Sequence, residues 1–426
     1  MRDCVMARPE WSWSKIKHVA TFYTGWTPPT GNEEFFEGEN LWANISDLGP
    51  RTLCDTAKRI SDEAVSDAGL KVSPTGSILL SFKLSLGQVS FAGRDMYTNE
   101  AIATFPPQPR FNTRWAYWAF PVFVPLNAKD NIYGARLLNQ DLIRSANILV
   151  PPLHEQERIA NFLDEQTARI DALIAEKERL VERLRELRYS TVSWAVTGGL
   201  HGVKGTRNTG NPFVPRLPAG WSLGGLTKYI GPIIDYRGKT PEKVANGVLL
   251  VTARNIRDGY IDYSISAEYV QSEAYEEVMR RGQPQIGDVL FTTEAPLGQV
   301  ANVDRVDIAL AQRVVKFRGL DGILDNYFLK YWLLGHVAQA TLETLATGST
   351  AEGIKASKLG KIPLALPSFD EQAKIVAFLD DQLNAIEEVE EHAAQDVALL
   401  REYRASLISA AVAGQLDIDR FGWEVA

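Results

Sequence analysis

Arg254, Asn255 and Arg257 crowd one short stretch of the chain, and Thr293, Gln299 and Arg313 follow at later turns. The first half has its own set in Asn44, Lys83, Ser85, Gln88 and Arg94. Arg can donate two parallel hydrogen bonds to a guanine edge, and Asn or Gln can both donate to and accept from adenine. Side chains of these types at the turns between strands are candidates for contact with nucleic-acid bases. A Gly348-Ser349-Thr350 turn with Lys355 and Lys358 offers backbone N–H and ammonium groups suited to phosphate. The plainer reading of any one of them is a solvated surface side chain.

Catalytic constellations do not form. An amino-methyltransferase would carry Asn/Asp-Pro-Pro-aromatic, but Asn211-Pro212-Phe213 lacks the second proline, and Pro28-Pro29 and Pro106-Pro107 lack the acidic or amide residue before them. Gly238-Lys239-Thr240 suggests a phosphate loop, yet Ile233 stands where its first glycine belongs and Pro241 stands where its helix should start. The five histidines have no metal-ligand spacing, and no Gly-x-Ser-x-Gly elbow exists. The expected catalytic and metal residues are therefore none, and no cofactor is expected on this chain.

The elements that must position these residues come in two copies. HEQERIANFLDEQ at 154–166 returns as DEQAKIVAFLDDQ at 370–382, a shift of 216. About fifty residues keep that register, through Leu184-Arg185-Glu186 against Leu400-Arg401-Glu402. The preceding blocks repeat more loosely: Leu86-Gly87-Gln88-Val89 matches Leu297-Gly298-Gln299-Val300 at a shift of 211, and Tyr117-Trp118 matches Tyr331-Trp332 at 214. A drifting shift means small insertions, which belong in loops. Two copies imply a pseudo-twofold molecule rather than a solenoid.

In the repeated string, Ile159, Leu163, Ile170, Leu173, Leu180, Leu184 and Leu187 alternate steps of four and three, interrupted by Gln166 and Lys177. The copy gives Ile375, Leu379, Ile386, Val389, Leu400 and Leu407, interrupted by Asp396. This spacing predicts two heptad helices of ~43 residues, or ~65 Å each, that bury their seams on each other and run antiparallel. Pro151-Pro152 and Pro367 bound them upstream, with Asp370 or Ser368 as the N-cap, and Gly198-Gly199 and Gly414 stop them. The variable blocks read as α+β domains. A turn feeding a short strand is expected at Gly76–Leu80 and Gly287–Phe291, a Gly turn into another strand at Leu86–Val89 and Leu297–Val300, a strand at Arg313–Phe317, and aromatic helices at Thr113–Phe120 and Tyr327–Leu334. The expected domains are 1–150, 151–200 (first helix), 201–366, and 367–426 (second helix and tail).

Composition sets limits. Apolar residues make up 45% of 426, enough for packed cores. The net charge of −8 is uneven. Residues 1–150 hold 15 basic and 15 acidic side chains, 201–366 hold 19 against 16, and 367–426 hold 4 against 13. A local nucleic-acid face is compatible with that distribution; strong non-specific binding is not. Two cysteines, no apolar run of membrane-spanning length and no secretory signal point to the cytoplasm.

The layout and motifs resemble the specificity subunit of type I restriction–modification systems, over essentially the whole chain. The most specific signature is Leu366-Pro367, Glu371-Gln372, Ile375 and Phe378-Leu379-Asp380. The run Thr347-Gly348-Ser349-Thr350, Ile354, Leu359, Ile362-Pro363-Leu364 is similar to the family's approach to that helix, and Leu217-Pro218-Ala219-Gly220-Trp221 to its domain start. The first half departs: Pro9-Glu10-Trp11 replaces Pro-x-Gly-Trp, and Asn131-Ile132-Tyr133-Gly134 replaces the Gly-Ser-Thr turn. The resemblance implies two α/β target recognition domains separated by an antiparallel coiled coil. Each domain would read one half of a split double-stranded DNA site. It further implies docking of two methyltransferase subunits that use S-adenosylmethionine, and a restriction/translocase subunit that uses ATP and Mg. Two other classes stay open: a structural coiled-coil adaptor, and a methyltransferase or nuclease with an unrecognised site.

Overall fold

One antiparallel hairpin design occurs twice, and it carries the sequence duplication into three dimensions. The structure, a computed structural model, describes residues 10–29, 31–130, 136–201, 205–236, 241–347 and 353–421. The chain divides into two compact units, Met1–Glu176 with Asp396–Ala426, and Lys177–Gln395.

In the first unit the strands that matter are β1 (Asn40–Ala43), β2 (Ile78–Ser81), β3 (Val89–Ala92), β4 (Tyr97–Thr98) and β5 (Ile102–Phe105). β2 pairs antiparallel with β3, Ile78 opposite Phe91, and with β5, Ser81 opposite Ile102. β1 runs parallel to β4. All four residues of β2, Ile-Leu-Leu-Ser, are buried, so this strand is apolar without alternation. Helix α1 (Thr113–Phe123) lays Trp115 and Phe120 against Ile78, Leu80 and Phe105 in the core. A short helix, Gln140–Ser145, and a strand, Asn147–Val150, precede the long helix α2 (Leu153–Val196).

The second unit repeats the plan with β6 (Val248–Val251), β7 (Val289–Thr292), β8 (Val300–Asn302), β9 (Ile308–Leu310) and β10 (Val314–Phe317). β7 pairs antiparallel with β8 and β10, and β6 runs parallel to β9. Helices α3 (Asn326–Leu334) and α4 (His336–Leu345) supply Phe328, Trp332 and Leu342 to its core. The second long helix, α5 (Phe369–Val412), closes the chain's regular structure. The strands and aromatic helices expected from the sequence are present in both units.

α2 and α5 each hold 44 residues, and each passes through both units. In the first unit, Arg404 Nε of α5 donates to Asp171 of α2 at 2.8 Å, and the Phe162 ring meets Phe421 at 4.9 Å. In the second, Arg188 pairs with Glu390 at 3.2 Å, and the Trp194 ring lies 5.8 Å from Phe378. Numbers that rise along one helix fall along the other, so the helix segments of each unit are antiparallel.

One column of the expected seam is displaced. Ile159, Leu163, Ile170, Ile375, Leu379, Ile386 and Leu407 are buried, and Leu184 and Leu400 are half-buried. Leu173, Leu180, Leu187 and Val389, by contrast, are exposed. The inward column contains Thr167, Ile174, Val181, Arg188 and Ala195, with Leu383, Glu390, Val397, Arg404 and Ala411 in the copy, all buried or half-buried. The two columns flank the same central row and lie one residue apart, which turns a side chain by about 100°. Leucines mark the outer column in the first helix, while the inner one mixes apolar residues such as Ile174, Val181 and Leu383 with Thr167, Arg188, Glu390 and Arg404. Of the two N-caps expected for the second helix, Ser368 directly precedes it and its carbonyl accepts from Glu371 and Gln372, while Asp370 sits inside the first turn. Gly198 (φ +101°) and Gly414 (φ +69°) follow the helix ends as expected.

Candidate nucleic-acid interface

The turn joining β2 to β3, residues 82–88, lies at one end of the first unit's sheets. β1 and β4 run parallel, and β5 begins where β2 ends, so the residues after β1 and β4 reach the same end. Asn99 N–H donates to Ala43 O, and Phe82 N–H donates to Ala101 O. Asn44, Lys83, Ser85 and Gln88 are therefore brought together, with Thr27 and Glu100 beside them. Lys83 Nζ lies 3.5 Å from Glu100, and Thr27 Oγ1 donates to the same carboxylate. Burial raises the Glu100 carboxyl, but hydrogen bonds from Thr27 and the backbone, with the charge of Lys83, bring it below its ordinary range.

Two of these side chains are already engaged in holding the turn. Gln88 Nε2 donates to Leu48 O at 2.6 Å, and Asn44 Oδ1 accepts from Ser46 N at 2.8 Å. Lys83 and Ser85 are exposed. Arg94 does not join the cluster: it follows β3 at the opposite end, next to Asp95, whose carboxylate accepts from Thr75.

The corresponding end of the second unit gathers Arg254, Thr293 and Arg313. The Arg254 turn follows β6, Arg313 precedes β10, and Thr293 N–H donates to Arg313 O at 3.0 Å. Arg254 and Arg313 border a cleft of about 340 Å³ lined in part by Lys243, Thr252, Glu268 and Gln312. Glu268 holds Arg254 at 2.6 Å and Lys243 at 2.7 Å, and Glu294 holds Arg313 at 3.0 Å. Each half-exposed guanidinium is thus presented on a carboxylate at the cleft. The loop ion pairs are reversed between the units, Lys83 on Glu100 in one and Glu294 on Arg313 in the other.

Three of the expected residues are engaged with the chain's own backbone. Asn255 is fully buried, with Nδ2 donating to Asp262 O and Ser266 O, while its Oδ1 accepts from Thr252. Thr293 is 2% exposed, and its hydroxyl donates to Arg313 O. Gln299 Oε1 accepts from Asp258 N at 3.0 Å. A polar side chain near a turn satisfies the turn's own backbone first, which sequence alone does not reveal. Arg257 is exposed and reaches back to Arg254 O. Lys358 Nζ donates to Leu345 O at the end of α4, and Lys355 is exposed beside the 293–294 strand end, where Ile354 N–H donates to Thr293 O. Ser349 and Thr350 lie outside the described residues, as do Gly238–Thr240 and Asn131–Gly134.

Lys243, Glu268, Glu294 and Gln312 were not singled out in the sequence. The repeat offered one signal, because Glu294 falls on Lys83 at the shift of 211. Glu268 offered none, since it lies in irregular chain before a two-residue strand. Asn211, weighed above as part of a methyltransferase motif, accepts from Phe213 N and Val214 N in a local turn. Among the described residues no group of three or more His, Cys, Asp or Glu is placed to hold a metal, and no helix is long and apolar enough to cross a membrane.

The sequence model for the type I restriction modification DNA specificity domain matches residues 9–183 and 243–395. This chain belongs to that family. The specificity-domain matches cover most of both repeated blocks, including the hairpin turns and the starts of α2 and of α5. Similar proteins include the type I restriction enzyme EcoBI specificity subunit of Escherichia coli, 22% identical over 72% of this chain and 67% of that one. The EcoKI specificity subunit of Escherichia coli K12 is 23% identical over 68% of this chain and 61% of its own length. The MjaIX specificity subunit of Methanocaldococcus jannaschii is 25% identical over 42% of each. The chain thus spans between two fifths and two thirds of these relatives. Its fold matches a chain from a structure titled for complex assembly and conformational transition of the type I R-M system, with a TM-score of 0.70 at 17% identity, covering 96% of this chain and 99% of that one. The HsdS subunit of Thermoanaerobacter tengcongensis matches with a TM-score of 0.50 at 18% identity, covering 96% and 98%.

Proposed function

We propose that this chain is the DNA sequence-specificity subunit of a type I restriction–modification assembly, and not itself a catalyst. Each unit's sheet-end turns read one half of a bipartite double-stranded site. The length of the helices connecting the units sets the unread gap, and their repeated strings dock two methyltransferase subunits. Methyl transfer from S-adenosylmethionine, and translocation and cleavage with ATP and Mg, fall to those and to restriction subunits, all in the cytoplasm.

The supporting observation is the doubled family match, read together with matched turns at the same sheet end of both units. Two readers of one design but different side chains suit two unlike half-sites. The test exchanges residues 10–150 for the corresponding block of a relative, within the complete assembly. Methylome sequencing should show one half of the methylated sequence change and the other persist. An unchanged sequence, or methyl transfer by the isolated chain, would overturn the reading.

A further inference from the structure

Leu84 stands at the tip of the first unit's 82–88 turn with 94% of its surface exposed. No other large apolar side chain among the described residues exceeds 62%. Its backbone lies at φ +59°, a left-handed conformation that a branched, bulky residue adopts only against steric resistance. Two local preferences are broken at one residue, since a glycine or asparagine would relieve the strain and a polar residue would suit the water.

The tip is held in this state from below. Ser81 Oγ donates to Lys83 O at 3.0 Å, Gly87 N–H donates to Ser81 O at 3.0 Å, and Gln88 N–H to Ser85 O at 3.2 Å. Gly87, at φ +85°, lets the base of the turn press on α1's end, where a Cβ would come within 3.1 Å of Pro125. The second unit repeats the positive φ: Ala295, matched to Leu84 at the shift of 211, lies at φ +51°. A positive φ at the tip therefore recurs in both turns, although the second carries a cis Ala295-Pro296 bond where the first has Leu84-Ser85. Strain retained at matched places in two diverged copies points to use.

Resting on the DNA reading above, we infer that Leu84 is a wedge that enters the base stack of the first half-site, making it a specificity-determining residue through DNA deformability. Apolar side chains of this size unstack a base step and kink the duplex. Pyrimidine–purine steps yield most easily, so a wedge selects sequence without hydrogen-bonding a base. Lys83 and Ser85 flank the tip on the chain, where phosphates on either side of an opened step would lie. Ala295 is too short to wedge, so the second half-site is read without this unstacking.

The test uses the complete methyltransferase assembly and duplexes carrying its methylated sequence, with 2-aminopurine placed in turn through the first half-site. Positions at the methylated adenine are excluded, because extrusion of that base raises fluorescence by itself. Binding by the unaltered assembly should raise fluorescence at one step. Leu84→Ala and Leu84→Gly should both abolish that rise and weaken binding about tenfold, the size of one lost base contact. Leu84→Met should retain it. Leu84→Gly relieves the strained backbone, and an unchanged melting temperature for that variant separates loss of the wedge from misfolding. If the unaltered assembly binds and no step brightens, or if Leu84→Ala still brightens it, the wedge is wrong while DNA reading stands. If the assembly ignores its own methylated sequence, the reading beneath it fails too.

Discussion

Gln156 Oε1 accepts the backbone N–H of Asn112 at 2.8 Å, tying the first turn of α2 to the residue that caps α1. Asn112 in turn accepts from Arg114 N and Trp115 N. The copy repeats every step: Gln372 accepts from Asp325 N at 2.8 Å, and Asp325 caps α3. Both amides also donate to the proline carbonyl five residues before them, Pro151 and Pro367. The repeated Gln is thus a lock between each domain and its helix. Gln156→Ala would leave the N–H of half-buried Asn112 without this partner, at about 1 kcal/mol. Hydrogen exchange should accelerate at Asn112 and through α1, with little change at Asp325, and Gln372→Ala should do the reverse. Equal acceleration in both units would contradict the lock.

Asp164 provides a second lock in the first unit. Its carboxylate accepts from Arg51, from Arg114 Nε at 2.8 Å and from Trp118 Nε1 at 2.8 Å. Burial raises its proton affinity, but hydrogen bonds from Arg51, Arg114 and Trp118 outweigh that and hold the group below its ordinary value. A depressed carboxyl contributes stability that is present above the unfolded value near 3.8 and is lost as pH falls through the folded one. Asp164→Asn should cost about 2 kcal/mol at neutral pH, lowering the unit's melting temperature by roughly 4–8 °C. Thermal melts of the two forms should converge below pH 3.8. A gap that stays constant with pH would remove the charge from the explanation.

The duplication was legible because its register survives in residues with fixed backbone duties, such as Gln156 and Gln372. The same holds for the strands and for the aromatic helix carrying Tyr117-Trp118. Which polar side chains face outward was not legible. Asn255 and Lys83 look alike as candidates, yet one fastens its own loop and the other stands in solvent. The seam failed for a related reason. Leu173, Leu180 and Leu187 and their neighbours Ile174, Val181 and Arg188 fit equally well beside Ile170 and Leu184, and only the partner helix decides between them.

That ambiguity gives a direct comparison. Leu163 is fully buried and Leu173 is 48% exposed. Leu163→Ala should destabilise the first unit by about 2–5 kcal/mol through the cavity left behind. Leu173→Ala should stay within about 0.5 kcal/mol, as surface changes do. Urea denaturation of the two variants measures both. Equal losses would restore the outer column to the seam.

Arg254 and Arg313 carry the second unit's expected base contacts. Glu268 and Glu294 hold them at the cleft, so neither guanidinium has to be ordered from bulk solvent when DNA arrives. Replacing either Arg by Ala should relax the second half-site at one or two positions by about 1–3 kcal/mol each and leave the first half-site intact. Lys355→Ala, if that ammonium meets phosphate, should weaken binding alike for all sequences and reduce the salt dependence by about one ion. Glu294→Gln keeps the shape of the support but removes its charge. It should therefore blur the Arg313-dependent position less than Arg313→Ala does. Methylome sequencing in cells carrying each variant assembly, paired with salt titrations of binding, separates these outcomes. Relaxation in the first half-site from Arg313→Ala would show that the two units do not read independently.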